Sequence, residues 1–297
     1  MRRIAALTVA IATKDRPREA TRCLRAVLGG PVIPAEVIVV DQSNQGNSTD
    51  LQQMIEPLQS SGARIVHVHH DGTGLAASRN AAIARFTQPV LAVTDDDCVP
   101  GAGWAAAIDA AFGSKHPPQA VTGPVLPYGP ELPGFCAVSS RTSLKPQVFR
   151  SLHSPWRAGT GGNFAISRTG LACAGMYDER LGAGSPGMSG EDIDLQYRLL
   201  RTGAAIRYEP DVLVRHQRQE AAKRQASRRR YGHGVGACCA LWLRAGDGYA
   251  VIILAEWLLL RCRRLLGSGF RGNWRGAVEE LLVLWGTLTG IAYGFRA

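Results

Sequence analysis

Cysteine is sparse and irregular in this 297-residue chain: seven residues, an odd number, with no C-x-x-C pair. That spacing argues against a zinc ribbon or a disulfide framework and is expected in a reducing compartment, the cytoplasm. No run of 18 uncharged apolar residues occurs, so no ordinary membrane span is expected; the nearest approach is LLVLWGTLTGIAYGF at 281–295. Internal repeats and low-complexity tracts are missing, which sets aside repeat arrays and disordered linkers. Arg2-Arg3 and the apolar residues after them imitate a signal peptide. Lys14-Asp15-Arg16-Pro17 follows at once with no convincing cleavage site, so 4–13 is read as a buried strand.

Acid is also in short supply. The chain has 24 Asp and Glu against 34 Lys and Arg, for a formal charge of +10. Such a balance suits nucleic acid, acidic lipid or phosphorylated substrates. Nucleic acid is not expected as a partner. The basic stretch 215–230 has only Tyr231 and Trp242 as nearby aromatics, and no RNA or DNA motif is visible. At 45% hydrophobic, the chain is long enough for one large α/β domain or two small ones.

The first half alternates strand-like and helix-like segments. IAALTVAIAT (4–13), EVIVVD (36–41), ARIVHVHH (63–70) and VLAVT (90–94) read as strands. Between them lie helical patterns at 18–30, opened by Pro17 and stopped by Gly29-Gly30, at 48–60 with Ser48 as cap, and at 74–86. Alternation of this kind predicts a mostly parallel sheet with right-handed crossovers. Ligands of such sheets sit beyond the carboxyl ends of the strands. Thr13 and Lys14, Asp41, and the triplet Asp95-Asp96-Asp97 all fall there.

Residues 113–158 are rich in Pro and Gly and read as loops. GTGGNFAISR (159–168) reads as a glycine loop entering a strand. SGEDIDLQYRLLRTG (189–203) predicts a helix capped by Ser189, with acids first, arginines last and Gly203 as stop. Two short strands are expected around Pro210. Apolar helical segments follow near 249–266 and 277–293.

Three adjacent carboxylates repel one another and call for a cation. Asp95 and Asp97, at i and i+2 of an extended segment, project to one side, and a hard ion such as Mg²⁺ or Mn²⁺ shared with substrate phosphates suits them. Glu191-Asp192-Ile193-Asp194 opens a helix, where the dipole favours acids, and a carboxylate there suits a general base.

Taken in order, IATKDR, VIVVDQS, GLAASRNAAI, VTDDDC, GGNFAISR and GEDIDLQYRLLRTG resemble the family 2 glycosyltransferases over residues 4–217. The resemblance implies a GT-A fold, a nucleotide-sugar donor (UDP-sugar favoured) and inversion in one displacement, with a hydroxyl of a glycan or lipid-linked molecule as acceptor. It implies that Thr13 lines the nucleotide pocket, that Asp41 bonds the base, and that Arg79 lies near the phosphates. Asp95 and Asp97 match the two acids of the DxD motif, with Asp97 the direct metal contact and His216 a further ligand. Asp192 matches the catalytic base beside Glu191, and Gly161, Gly162 and Asn163 border sugar and acceptor. Three residues depart from the pattern or blur it: Gln42 stands where a second aspartate is common, Asp96 adds a third acid to the triplet, and Asp194 competes with Asp192.

Asp95-Asp96-Asp97-Cys98-Val99 also fits the D-x-D-x-[TV] pattern of haloacid dehalogenase-like phosphatases, although three βα-like units precede it here. A non-catalytic sugar-nucleotide binder is the other alternative, and would need no acid at Asp192. The expected organisation is a catalytic domain at 1–217 and a basic, amphipathic helical region at 218–297. Trp242, Trp257, Trp274 and Trp285 among leucines and arginines suit either packing on the core or peripheral contact with the inner face of a plasma membrane.

Overall fold

The computed structural model describes residues 2–138, 141–151 and 153–297. The apolar run near the start forms β1 (Arg3–Thr13). Its side chains alternate between two layers, Leu7, Val9 and Ile11 on one face and Ala10 on the other. β2 (Val32–Asp41) and β4 (Val90–Asp95) flank it in parallel, and β3 (Arg64–His69) extends the parallel set beyond β2. The register pairs Thr13 with Asp41, Asp41 with His69, and Ala12 with Asp95. The strand-end groups therefore share one edge, as the carboxyl-end argument predicts.

On the other side of β4 lies β10 (Asn163–Ser167), antiparallel to it. β6 (Ala120–Thr122), β11 (Ile206–Tyr208) and β9 (Gln147–Phe149) complete an eight-stranded sheet in the order β3-β2-β1-β4-β10-β6-β11-β9. A small second sheet joins β5 (Cys98–Pro100), β12 (Val214–Gln217) and β7 (Val125–Tyr128). Its register sets His216 opposite Cys98, beside the triplet. β8 (Phe135–Cys136) pairs with β13 (Gln219–Glu220). Segment 113–158 is thus not all loop: it supplies β6, β7, β8 and β9, while residues 139, 140 and 152 lie outside the described residues.

α1 (Pro17–Leu28), α2 (Gln45–Ile55) and α4 (Trp104–Phe112) cover the Leu7 layer. α3 (Leu75–Ile83), α5 (Arg168–Ala174) and α6 (Glu191–Arg201) cover the other. Two caps differ from expectation. Asn44, not Ser48, caps α2, its Oδ1 accepting from Asn47 N–H at 3.0 Å. Asp15 Oδ1 accepts from Asn44 N–H at 3.0 Å and fixes that start, so Ser48 falls one turn inside. Ser189 does not cap α6; its hydroxyl donates to Arg230 O at 2.9 Å. Gly190 takes the N-cap position at φ 95°, where a Cβ would meet Cys238 Sγ at 2.9 Å.

The basic stretch opens the helical region expected at 218–297: α7 (Ala221–Arg244) precedes α8 (Tyr249–Phe270) and α9 (Trp274–Gly294). Gly232, Gly234 and Gly236 interrupt it and each disfavours helix. Their reason lies in a partner. A Cβ on Gly232, Gly236, Gly286 or Gly290 would stand 1.9–2.2 Å from a backbone oxygen of the facing helix. Small residues at four-residue spacing let the α7 and α9 backbones touch. This layer docks on α6: Ile193 and Tyr197 pack with Val235, Cys238, Trp242 and Trp257. Tyr197 stacks on Trp242 with centroids 3.6 Å apart. Among the described residues no helix is long and apolar enough to cross a membrane.

Candidate active site

β4 ends in the triplet, but the chain turns after Asp95 instead of staying extended. Asp95 is engaged by Arg79, whereas Asp96 and Asp97 share Arg16. Two arginines and a histidine face the triplet. Arg79 Nη2 donates to Asp95 Oδ1 at 2.9 Å. Arg16 Nη1 lies 3.2 Å from Asp96 Oδ1 and 3.4 Å from Asp97 Oδ2. His216 Nε2 lies 3.2 Å from Asp97 Oδ1. Asp96 is the buried member, and Thr13 Oγ1 donates to its Oδ2 at 2.8 Å. Burial, then the charge of Asp97, pushes Asp96 up to about 6. Burial also raises Asp97, against the pull of His216. Thr13 and Asp96 thus brace each other, and Asp95 and Asp97 both keep part of their carboxylates exposed.

The residues around Asp97 fit a divalent ion. His216 Nδ1 donates to the carbonyl of Gln217 at 2.8 Å, which leaves the Nε2 lone pair aimed at the Asp97 carboxylate. Two acceptors in that position need a proton or a metal between them. Ligand atoms of Asp97, Cys98 and His216 lie within 4.8 Å of one another. Cys98 is unsuited: burial raises its thiol well above the ordinary value, and hard ions prefer oxygen and imidazole to a thiol.

Arg79 joins the two acidic centres. Placed by α3 and 2% exposed, it donates through Nη1 to Glu191 Oε1 at 2.8 Å as well as to Asp95. Burial works against its charge, yet Asp95 and Glu191 hold it firmly protonated. Burial and the neighbouring Asp192 raise the Glu191 carboxyl. The acids of α6 separate into distinct roles. Glu191 is locked to Arg79. Asp194 is buried, bound by Arg198 Nη2 at 2.7 Å and by Trp242 Nε1 at 2.8 Å. Asp192 is half-buried and keeps its Oδ2 on Gly161 N–H at 2.8 Å. Among the described residues it has no ion-pair partner, which distinguishes it from both neighbours.

Gly161 and Gly162 permit this closeness. A Cβ on Gly161 would meet Asp192 Cβ and Arg79 Nη1, each at 2.8 Å, and one on Gly162 would meet Asp95 Oδ2 at 2.4 Å. Asn163 is fully buried with its amide spent. It accepts from Trp104 Nε1 at 2.9 Å and donates to the carbonyls of Pro124 and Val212. It anchors β10 rather than facing the cleft.

Asp41 is likewise 0% exposed. Its oxygens take Ser43 N–H at 2.9 Å and His67 Nε2 at 3.0 Å. Burial pushes it up, but the hydrogen bonds of His67, Ser43 and Ser48 hold it well below the usual carboxylate range. Gln42, the departure after β2, donates to the carbonyls of Gly72 and Gly74 and ties down that loop. The sequence reading overlooked Arg16 and His67. Arg16 is the third residue after the end of the first strand, a position that signals the site; His67 carries no local signal.

Residues 5–234 match the family described as Glycosyltransferase like family 2. A curated relative, a pre-mycofactocin glycosyltransferase of Mycobacterium tuberculosis, is 27% identical over 209 residues. The match covers 67% of this chain, which spans only 42% of that relative's length. Among solved structures, the mannosyltransferase PcManGT of Pyrobaculum calidifontis, in complex with GDP-Man and Mn²⁺, aligns over 98% of this chain and 87% of its own. Its TM-score is 0.61 at 16% identity. GalNAc-T7 with UDP, GalNAc and Mn²⁺ aligns over 71% of this chain and 43% of its own, with TM-score 0.53 at 18% identity. From the family match over residues 5–234, together with a sheet whose solved neighbours are GT-A enzymes, this chain belongs to the glycosyltransferase like family 2.

Proposed function

We propose that the protein moves a sugar from a nucleotide diphosphate donor, UDP-sugar favoured, to a hydroxyl of a glycan or lipid-linked acceptor, with inversion. The observation that carries this reading is the fate of the three acids of α6. Glu191 and Asp194 are each paired with an arginine, whereas Asp192, beside the glycine loop, has no ion-pair partner among the described residues and accepts only from the backbone N–H groups of Gly161 and Ile193. A carboxylate with no counter-cation there takes the acceptor's proton as its oxygen attacks the anomeric carbon. The new C–O bond forms on one face as the bond to the nucleotide diphosphate breaks on the other, so one displacement inverts the centre.

Asp97 and His216 would hold a divalent ion, Mn²⁺ or Mg²⁺, and that ion supplies charge neutralisation for the departing diphosphate. The imidazole ligand favours Mn²⁺. Arg79 and Arg16 keep Asp95 and Asp96 neutralised, so the cleft does not repel the incoming diphosphate. The base is read through the groups that Asp41 orients, Ser43 and His67. The phosphatase alternative finds no support: its nucleophile would be Asp95, which Arg79 holds at 2.9 Å, after the fourth strand instead of the first.

The catalytic unit spans 1–217 and the α7–α9 layer presents it to an anionic lipid surface. An outward stripe on α9, Trp274, Val278, Leu281, Trp285 and Leu288, recurs at helical spacing, with Phe270 90% exposed just before it. Arg271 and Arg275 flank Phe270 and Trp274, the charge complement of acidic headgroups.

A thermal-shift series with UDP, GDP, dTDP and CDP, each with and without Mn²⁺, tests the donor site. One nucleotide should raise the melting temperature in a Mn²⁺-dependent way, and His216→Ala should remove the dependence. If none of the four moves the curve under either condition, the transferase reading fails.

A further inference from the structure

Beside Asp192 lies a cavity of about 580 Å³, walled by Ala137, Val138, Arg141, by residues 154–160 in part, and by α7 and α8. Six arginines line it: Arg141, Arg157, Arg224, Arg228, Arg261 and Arg264. We propose that it holds a phosphate ester carried by the acceptor, a recognition handle next to the hydroxyl that Asp192 deprotonates. This proposal rests on the transferase reading and adds the chemical class of the acceptor.

The charges do not balance within the protein. Glu256 is the one acid among the lining residues, and it accepts from Ser154 Oγ. Glu279 and Glu280 stand behind the wall and are shared. Arg224 donates to both oxygens of Glu279 at 3.0 and 3.2 Å. Glu280 takes Arg228 Nη2 at 3.0 Å and Arg261 Nη1 at 3.4 Å. Arg141 stacks on the Phe149 and Tyr208 rings. Arg157 and Arg264 have no ion-pair partner among the described residues. Six guanidinium groups thus meet three carboxylates.

The deficit reaches buried atoms. Arg261 is 5% exposed, and its Nε and that of Arg228 are buried without a hydrogen-bond partner. Burial, and then its neighbours Arg264 and Arg228, pull the Arg261 guanidinium down to about 10 against the help of Glu280. Buried cations left uncompensated are costly, and a dianionic phosphate would relieve several at once through charge-assisted hydrogen bonds.

Position points to the acceptor rather than the donor. Gly159 and Thr160 form part of the wall, and the next residue, Gly161, donates its N–H to Asp192. Thr13, Asp41 and Asp97, at the strand ends, do not line the cavity. Trp156, Tyr231 and Trp257 add apolar faces to the wall, Trp156 meeting Trp257 edge-on at 5.1 Å. Such faces take a sugar ring or a hydrocarbon chain alongside the phosphate.

The test is a tryptophan-fluorescence titration of the nucleotide-free, metal-free protein with paired probes: geranyl phosphate against geraniol, and glucose 6-phosphate against glucose. At least one phosphorylated probe should bind tenfold or more tighter than its alcohol partner. Arg157→Gln with Arg264→Gln, both exposed and unpaired, should erase most of that preference while the nucleotide-dependent thermal shift persists. Preference confined to the geranyl pair assigns a lipid phosphate, and preference confined to the glucose pair a glycan phosphate. Equal binding of phosphate and alcohol in both pairs, or a preference untouched by the double variant, overturns the proposal. Phosphate preference in a protein that ignores every nucleotide overturns the transferase reading and the acceptor role with it, while a retained nucleotide shift without phosphate preference overturns only the cavity.

Discussion

Charge is handled in opposite ways on the two sides of residues 159–161. In the cleft, five acids crowd together, and the protein answers most of them itself: Arg79 for Asp95 and Glu191, Arg16 for Asp96, His216 in part for Asp97. In the cavity, arginines outnumber acids and two of them stay unanswered. Packing differs in the same way. The sheet closes its core with interdigitated Val, Ile and Leu, whereas α7 and α9 close theirs with glycine against backbone and leave Trp274 75% exposed. One region answers most of its own charges, and the other leaves guanidinium groups unpaired and tryptophans exposed.

The contrast breaks most visibly at Asp192. Asp192→Asn keeps an acceptor for Gly161 N–H but loses the base, so turnover should fall by ~10²–10⁴ with melting temperature nearly unchanged. Asp194→Asn is the control: it should cost stability, through Arg198 and Trp242, more than it costs chemistry. Urea melts and sugar-transfer assays on both variants separate these effects.

The glycine seam should be the most fragile part of the helical layer. Gly290→Val drives a side chain into His233 O and should cost about 3 kcal/mol or more in urea unfolding. Gly246, with open space around it, sits at φ 86° and is a poorer comparison than Gly269, where a Cβ meets nothing. Gly269→Ala should be neutral or slightly stabilising.

Asp41 probes the self-sufficient side. Asp41→Asn should cost about 2 kcal/mol at pH 7, because charged hydrogen bonds to Ser43 and His67 are weakened. The folded-state value of Asp41 is depressed, so its contribution is present above the unfolded carboxylate value of 3.8 and is lost as pH falls toward the folded value. The gap between wild type and variant should therefore narrow below about pH 4 in acid titrations followed by circular dichroism. A gap constant down to pH 3 would mean that Asp41 is not held as an anion.

The smallest effect on stability belongs to the outward stripe. Trp274→Ser with Trp285→Ser should change unfolding free energy by no more than about 0.5 kcal/mol. Sedimentation with phosphatidylglycerol vesicles should nonetheless fall by about tenfold, since two interfacial aromatics are removed. Equal sedimentation of both proteins would sink the lipid-facing reading.

The order of strands and helices through β4 was legible, because alternation of period two and 3.6, with Pro17 and Gly29 as punctuation, is written over a few neighbouring residues. The meeting of the strand ends was legible for the same reason, since parallel βα units leave little choice of edge. Where local signals compete, the reading failed. The glycines of α7 carry no local explanation; α9, some 50 residues on, supplies the surface that needs Gly232 and Gly236. Ser189 looked like a cap until Gly190 was required by Cys238.

Sequence alone determined which chemical groups are available: the acids, the arginines and the glycine loop. Tertiary structure decided which of them are free. Arg79 and Glu191 are 112 residues apart, and nothing short of the folded sheet brings them to 2.8 Å. That single contact pairs Glu191 with a buried arginine and leaves Asp192 as the acid of α6 with no ion-pair partner among the described residues. The arginines of 141–157 and of 224–264 become one site only where loop and helices close around the same cavity. Proximity between distant segments follows from the burial of whole layers, and no short stretch of chain encodes it.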